Sequence, residues 1–325
     1  MSKSDLHSAD WLDAPATLAG RGPVVFALGA FDGLHRGHQD VLAETVRLAR
    51  ELHALPAALF FSPNPKEFFA PGSAPALMDE CEKARLLTEA YGMAAVIRMP
   101  FDAALAALSP SDFLYTYFFN VQNLAAAGFT VGETWRFGHG NSGDAALLAT
   151  LAAARGVQVR AVPQCRTADG AAVSSTRIRK AVAEGDLAAA ARLLGRPFAL
   201  CGEVVAGLHV ATEALSCPTA NLEAEGMQLP PYGVYAAKAR LSDAETPMEG
   251  IVYVGDAPTI RHADKRPIVE LHLFDFEGDL YGRRIAVEPV QFLRPSQPFP
   301  SPEALRQQIL RDIEQARQIL ARMYS

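Results

Sequence analysis

The sequence is short of the features that would make several functions easy to assign. Its 325 residues include only four cysteines, Cys81, Cys165, Cys201 and Cys217, and no two form a Cys-x-x-Cys pair. No zinc-site spacing appears, and no disulfide framework is implied. Positive charge is also scarce: 30 Lys and Arg stand against 36 Asp and Glu, a net charge of −6. A protein that grips nucleic acid through its phosphates is more often basic, so that partner is disfavoured. No run of ~18 apolar residues suggests a membrane span. The first residues, MSKSDLHSADWLDAP, lack the apolar core of a signal peptide. Internal repeats and low-complexity tracts are absent. The expectation is a soluble protein of a reducing compartment, the cytoplasm, with no membrane or nucleic-acid partner.

What is present is ample core. Hydrophobic residues make up 50% of the chain, enough to fold without help from metals or disulfides. At roughly 100–200 residues per domain, the length suggests two domains.

The first half alternates strand and helix patterns. VVFALG (residues 24–29), LPAALFF (55–61), MAAVIRM (93–99), GFTVG (128–132) and VQVRAV (157–162) read as short buried strands. Between them, Val41, Leu42, Leu48, Ala49 and Leu52 recur at helix spacing over residues 38–52. CEKARLLTEAYG reads as a helix closed by Gly92, and SPSDFLYTYFFN opens with Ser and Pro in cap order. Such alternation predicts an α/β domain: a doubly wound parallel sheet with helices on both faces. Near Gly195-Arg196-Pro197 the pattern changes. Beyond it, YAAKARL, GIVYVG, IVELHLFDF and RRIAVEPVQFL are strand-like runs separated by turn residues, which predicts a small antiparallel β-barrel. A terminal helix is expected from about Pro302 to Met323, with Leu305, Ile309, Ile313 and Leu320 on one face. The expected domains are therefore residues 1–196 and 197–325.

GAFDGLHRGHQ (residues 29–39) follows a buried strand and opens a helix. Open α/β sheets bind ligands there, outside the carboxyl ends of their strands. Gly29, Gly33 and Gly37 let the backbone turn and let a phosphate come close, and the helix N-terminus favours an anion. His35 and His38 can donate hydrogen bonds to phosphate oxygens. A metal site is the rival, but no nearby Cys/His/Asp/Glu cluster completes the ligand set. The plainer alternative is that both histidines only cap a turn. VSSTRIRK (residues 173–180) repeats the theme: Ser174 or Ser175 is a good N-cap, and Arg177 and Arg179 sit at the helix end that favours anions. A bound polyphosphate explains arginines there; a solvated helix face is the alternative.

At this point the residues become recognisable. GAFDGLHRGHQ resembles the His-x-Gly-His signature of the nucleotidylyltransferase superfamily, and SSTRIR is similar to its second phosphate motif. VGETWRFGHGNSGD (131–144) and FFSPNPKEFF (60–69) resemble flavin-side segments of the prokaryotic bifunctional riboflavin kinase/FAD synthetases, and LLGRPFALCGEVV resembles their domain junction. The resemblance covers nearly the whole chain in order. It implies transfer of the adenylyl group of ATP to FMN, giving FAD and pyrophosphate, with Mg²⁺ bridging phosphate oxygens. It implies that His35, His38 and Arg177 act at the reacting phosphates. Gly29, Phe31, Gly37, Ser174, Ser175, Thr176 and Arg179 would hold ATP, while Phe31 and Asp32 shape the loop. Asn64, Arg136, Phe137 and Gly138 would lie near flavin or nucleotide. Two departures from the family, Ser62-Pro63-Asn64-Pro65 and Thr134-Trp135, touch substrate contacts.

The second half resembles the riboflavin kinase domain. CPTANL (217–222) is similar to its Pro-Thr-Ala-Asn motif, and PPYGVYAAKA, VGDAPTI, VELHLFDFEGDLYG and FLRPSQPFPSPEALRQQILRDIEQA follow in family order. The resemblance implies Thr219 and Asn221 as contacts to Mg²⁺ and ATP phosphates. It implies Glu270 as the general base for the riboflavin 5′-hydroxyl; a solvent-facing strand residue is the plainer reading. The preceding loop departs from the family. GLHVATEALS (207–216) keeps only Gly207, supplies no Lys or Arg, and adds Glu213. A phosphate-cradling loop favours glycine and positive charge. Several readings therefore stand open: both activities, with riboflavin kinase either intact or impaired; adenylyltransferase alone beside a non-catalytic barrel; or a flavin-nucleotide-binding module without turnover. Another acceptor, such as a phosphopantetheine or sugar phosphate, is disfavoured by VGETWRFG and the barrel.

Overall fold

A computed structural model describes residues 11–205, 219–241, 246–256 and 267–323. The glycine-poor loop of residues 207–216, Cys217 and the end of VGDAPTI lie outside the described residues. The chain divides into two units, Met1–Pro75 with Glu80–Ser175, and Ala76–Asp79 with Thr176–Ser325.

The first unit is built on a parallel sheet of five described strands: β1 (Pro23–Leu28), β2 (Leu55–Ser62), β3 (Ala95–Pro100), β4 (Ala125–Gly132) and, after the short hairpin β5 (Arg136–Phe137) and β6 (Gly143–Asp144), β7 (Gln158–Val162). The order is β3-β2-β1-β4-β7. Strand β1 is central, paired in parallel with β2 on one side and β4 on the other. Its residues Val24 to Ala27 are all 0% exposed, which explains the unbroken apolar run: a parallel strand covered on both faces has no polar side. Val24, Phe26 and Leu28 pack with Phe118, Phe129 and Phe137 in one core, whereas Val25 packs with Leu48 and Ala49.

Leu48 and Ala49 belong to α1 (Arg36–Glu51), two residues earlier in its start than the apolar spacing predicts. The spacing reports only the buried face, and the first turn has no apolar residue on it. Inside this interface Thr45 bonds to the Val41 carbonyl at 2.7 Å and to Thr130 Oγ1 on β4. A buried hydroxyl needs such partners. The other helices of the unit are α2 (Pro65–Phe69), α3 (Glu80–Glu89), α4 (Ala103–Ala106), α5 (Pro110–Leu114) and α6 (Ala145–Ala153). Ser109 caps α5 through the Asp112 N–H at 3.1 Å, as its Ser-Pro start predicts.

The boundary falls after the first residue of α7 (Ser175–Ala183), so the second unit holds the rest of α7 and α8 (Leu187–Leu194), the latter ended by Gly195 at φ 73°. A closed barrel follows, made of β8 (Leu200–Val205), β9 (Ala220–Leu222), β10 (Gly233–Leu241), β11 (Met248–Asp256), β12 (Pro267–Leu273) and β13 (Arg284–Pro295), in the order β10-β11-β12-β9-β8-β13. Closure leaves no sheet edge. Strand β12 stops at Leu273, sooner than the run IVELHLFDF suggests, because Asp275 takes φ 55° and turns the chain out of the ladder.

The terminal helix α9 (Pro302–Ala321) lays Ile309, Ile313, Ala316 and Leu320 on Val234, Ala236 and Ile251 of the barrel. One polar contact fixes it. The Arg294 guanidinium at the end of β13 donates to both oxygens of Asp312, at 2.8 and 3.1 Å, and Gln308 adds a bond at 2.8 Å. Asp312 is 1% exposed, so removing it leaves the guanidinium without its counter-charge in a partly dry site. Asp312→Ala is expected to lower stability by about 3 kcal/mol, read as a fall in the urea midpoint of the barrel transition; an unchanged midpoint would refute the anchor.

Candidate active sites

All four segments singled out in the first half leave the carboxyl ends of parallel strands. GAFDGLH follows β1, SPNP follows β2, the Trp135 hairpin follows β4, and VSST lies beyond β7. The order of the sheet reverses between β1 and β4, which opens a crevice at that end.

The loop after β1 is conformationally unusual. Phe31, Gly33 and Leu34 all have positive φ, of 48°, 77° and 43°. Glycine accepts this freely, but each non-glycine residue costs about 1–2 kcal/mol. Phe31 is 1% exposed and Leu34 0%, and burying such side chains contributes roughly 1.5–3 kcal/mol apiece. Burial therefore offsets the strain. Gly29 ends the strand, with its N–H donating to the Leu59 carbonyl at 3.2 Å. Side chains hold the turn from outside: Ser175 Oγ donates to the Asp32 carbonyl at 3.0 Å, and Gln39 Nε2 to the Leu34 carbonyl at 2.9 Å.

His35 sits at the N-cap of α1, and its Nδ1 accepts the His38 N–H at 3.3 Å. This Nδ1 must then keep its lone pair, so the ring proton sits on Nε2. The two imidazoles stack at 3.6 Å and 14°, and Phe31 meets His38 edge-on at 5.5 Å. A Cβ at Gly37 would stand 3.4 Å from the His35 ring and from Cys165 Cβ, ordinary contact distance, so space alone does not require glycine there. Burial first, then Asp40, pushes the Cys165 thiol up from its ordinary value, which keeps it neutral and unsuited to nucleophilic work. Both capping and phosphate donation are thus open to the histidines; they do not exclude one another. No His/Cys/Asp/Glu group among the described residues could hold a metal.

The remaining residues fall nearby in the chain. Asn64 caps α2, accepting the Lys66 N–H at 3.0 Å. Arg136 is exposed and donates to the Trp135 carbonyl at 3.0 Å. Phe137 is 6% exposed in the core and stacks beneath Trp135 at 4.7 Å and 11°. Gly138 combines φ 73° with the Pro110 ring 2.7 Å from where a Cβ would stand, so no other residue fits without movement. Ser174 and Ser175 open α7, followed by exposed Thr176 and half-buried Arg177 and Arg179 in its first turns.

In the barrel, Thr219 Oγ1 donates to Glu270 Oε1 at 2.6 Å. Asn221 on β9 lies directly opposite Glu270 on β12. Val269 and Leu271 are each 1% exposed, so Glu270 projects from the other face of the strand, as alternation requires. A solvent-open cleft adjoins Thr219, lined by Val204, Ala220, Leu271, Phe276, Leu280 and Tyr281. The Thr219 hydroxyl directs its proton at Glu270. Sequence reading missed Gln39 and the buried Lys83: nothing in their spacing marks them, because their partners are backbone carbonyls.

A parallel sheet with a stacked His-x-x-His at its switch point, joined in one chain to a closed antiparallel barrel with a Thr–Glu–Asn cluster, defines a two-part enzyme of nucleotide-transfer type. Comparison with known proteins agrees. A family model described as FAD synthetase matches residues 19–177, and one described as riboflavin kinase matches residues 194–320. The bifunctional riboflavin kinase/FMN adenylyltransferase of Pseudomonas fluorescens is 37% identical over 297 residues, covering 91% of this chain and 93% of its own. That of Escherichia coli K12 is 36% identical, covering 90% and 92%. A solved structure described as a macrolide-efflux protein from Streptococcus pneumoniae aligns with TM-score 0.75 and 25% identity over 94% of this chain and 96% of that one. No helix among the described residues is long and apolar enough to cross a membrane. The chain belongs to the bifunctional riboflavin kinase/FMN adenylyltransferase family.

The capping role of His35 can be separated from any chemical one. His35→Ala is expected to lower stability by about 1 kcal/mol, and His35→Asn, which can still cap, by a few tenths only. Urea unfolding reads both; equal losses would show that the cap contributes nothing.

Proposed function

We propose that the chain makes FAD from riboflavin in two ATP-dependent steps, with riboflavin phosphorylation assigned to residues 197–325 and FMN adenylylation to residues 1–196. The observation that carries the second assignment is the strained, buried turn that presents stacked His35 and His38 at the crevice between β1 and β4.

In the adenylylation, a phosphate oxygen of FMN attacks the α-phosphorus of ATP. The bond to the bridging oxygen breaks, and pyrophosphate leaves. The nucleophile is already an anion, so no base is needed; positioning and charge neutralisation carry the rate. His35 donates from Nε2, as its capped Nδ1 requires. His38 stands against it and shares the stabilisation of the transferring phosphoryl oxygens. Ser174, Ser175, Thr176, Arg177 and Arg179 hold the β- and γ-phosphates. Gly29, Phe31 and Gly37 shape the floor. Asn64 and the Arg136-Phe137-Gly138 turn border the flavin, with Trp135 braced on Phe137.

In the phosphorylation, Glu270 takes the proton of the riboflavin 5′-hydroxyl as its oxygen attacks the γ-phosphorus, and ADP leaves. Thr219 orients the carboxylate through their hydrogen bond. Oxygen donors and few protein ligands suit Mg²⁺, and Thr219 with Asn221 would hold it. When bound, it supplies neutralisation of phosphate charge. The reading of a cytoplasmic enzyme rests on the scarcity of cysteine and the lack of any Cys-x-x-Cys or disulfide-framework spacing.

The test is chromatographic. Purified protein with ATP and Mg²⁺ is given FMN or riboflavin, and both flavin nucleotides are followed. FAD is expected from FMN, and FMN and then FAD from riboflavin. His38→Asn should slow FAD formation on the order of a hundred- to a thousandfold. Glu270→Gln should slow FMN formation by about 10²–10⁴ while FAD formation from FMN persists. Glu213 and the missing glycines of residues 207–216 favour one alternative: FAD from FMN with nothing from riboflavin would mark an adenylyltransferase beside a non-catalytic barrel. No product from either flavin would reduce the protein to a binding module.

A further inference from the structure

Lys83 lies on α3, far from the motifs, and is only 7% exposed. Its ammonium sits 4.3 Å from the centre of the Phe60 ring and 3.5 Å from the Ala30 carbonyl. Phe60 is near the carboxyl end of β2, and Ala30 is the first residue of the left-handed turn. A methionine of similar length would fill the same space on Phe60 without the cost of desolvating an ammonium. Packing alone therefore does not account for a charged residue here.

The location gives a reason. The carbonyls of Ala30, Asp32 and Leu34 accept from Lys83, Ser175 and Gln39 respectively. Alternate carbonyls of the turn are thus held by side chains from three separate helices. In a trans peptide the N–H points opposite the C=O of the same unit. Holding those carbonyls turns the N–H groups of Phe31, Gly33 and His35 away from the three supports. Asp32, with ordinary negative φ, stands between left-handed Phe31 and Gly33, and such a juxtaposition of hands makes an anion-binding concavity from backbone N–H groups. A cation on the Ala30 oxygen polarises that peptide and strengthens the Phe31 N–H as a donor.

We propose that Lys83 is a positioning residue for the adenylyl-transfer site: it fixes and polarises the first peptide of the turn that receives the ATP phosphates. This rests on the adenylyltransferase reading above. Lys83 acts through the Ala30 peptide and touches no reacting atom. Its loss should therefore fall on ATP and leave FMN binding largely alone.

The experiment is steady-state FAD synthesis by the full-length chain with Lys83→Met, Lys83→Gln and Lys83→Arg, with each substrate varied in turn and pyrophosphate as product inhibitor. In Met and Gln variants the KM for ATP and the inhibition constant for pyrophosphate are expected to rise together by about tenfold, with the KM for FMN within about twofold. Lys83→Arg, which keeps the charge, should restore both to within about threefold of the parent. Unchanged ATP and pyrophosphate constants overturn the proposal. So does an equal loss for ATP and FMN with a lowered melting temperature, or failure of both uncharged variants to fold: each would make Lys83 a structural residue. If the parent chain makes no FAD, the adenylyltransferase reading itself fails, an outcome visible before any variant is examined.

Discussion

The turn from Phe31 to Leu34 is the constraint on which the chemistry proposed for the first unit rests. It places non-glycine residues in left-handed backbone, which an isolated peptide would abandon. The turn persists because its two strained residues are also fully buried, Phe31 against the His38 ring and Leu34 in the interior. Strain and burial are thus the same event: to relax the backbone, the chain would have to expose Phe31 and Leu34. This is how a short loop at the end of β1 is made as stiff as the sheet beneath it. Stiffness matters because transfer of an adenylyl group depends on holding phosphates in line rather than on making and breaking bonds to the protein.

Much of this was legible in the sequence, for identifiable reasons. Parallel strands buried on both faces are continuous apolar words, so VVFALG and LPAALFF could be read directly. The phosphate-site reading of GAFDGLHRGHQ and VSSTRIRK, which is part of the proposal, rests on local glycines and residues a few places apart, a pattern that a sequence displays directly. The barrel was legible through its spacing of strands and turns. What escaped was whatever depends on a partner distant in the chain. The start of α1 at Arg36 is set by the His35 cap and the turn before it, neither of which has an apolar period. Lys83 and Ser175 reach carbonyls 53 and 143 residues away, and a carbonyl has no letter in the sequence. The exit of Asp275 from β12 likewise comes from one backbone angle, invisible behind an apolar run that continues past it.

The barrel solves a different problem with different parts. Its core is made by alternation, so every strand presents its other side outward. Glu270 takes such a position between Val269 and Leu271, and the pairing of β12 with β9 sets Asn221 directly across from it. Thr219, two residues before Asn221, comes within hydrogen-bond reach of the same carboxylate. The cluster is therefore a by-product of strand register. A one-residue slip between β9 and β12 would turn Glu270 and Asn221 onto opposite faces and bury one of them. The closed barrel and the Arg294–Asp312 contact of α9 protect that register by leaving no strand free to slide.

The contrast between the two sites follows from their nucleophiles. FMN brings a phosphate that is already ionised near neutral pH, so a carboxylate beside it would add repulsion and remove nothing. In the proposed assignment the first site works with imidazoles, hydroxyls and backbone at its turn, with Arg177 and Arg179 following in the sequence; the acid of the turn, Asp32, is 6% exposed, and its carbonyl accepts from Ser175. Riboflavin brings a neutral hydroxyl, whose proton must go somewhere as the oxygen attacks. In the proposed assignment the second site offers the Glu270 carboxylate, and Thr219 donates its own hydrogen to that carboxylate rather than competing for the proton. A chain that performs both reactions needs both arrangements and cannot merge them: the base that helps one nucleophile would repel the other. Two separate folding units, each with its own turn or register to hold its groups, is the arrangement that this incompatibility favours.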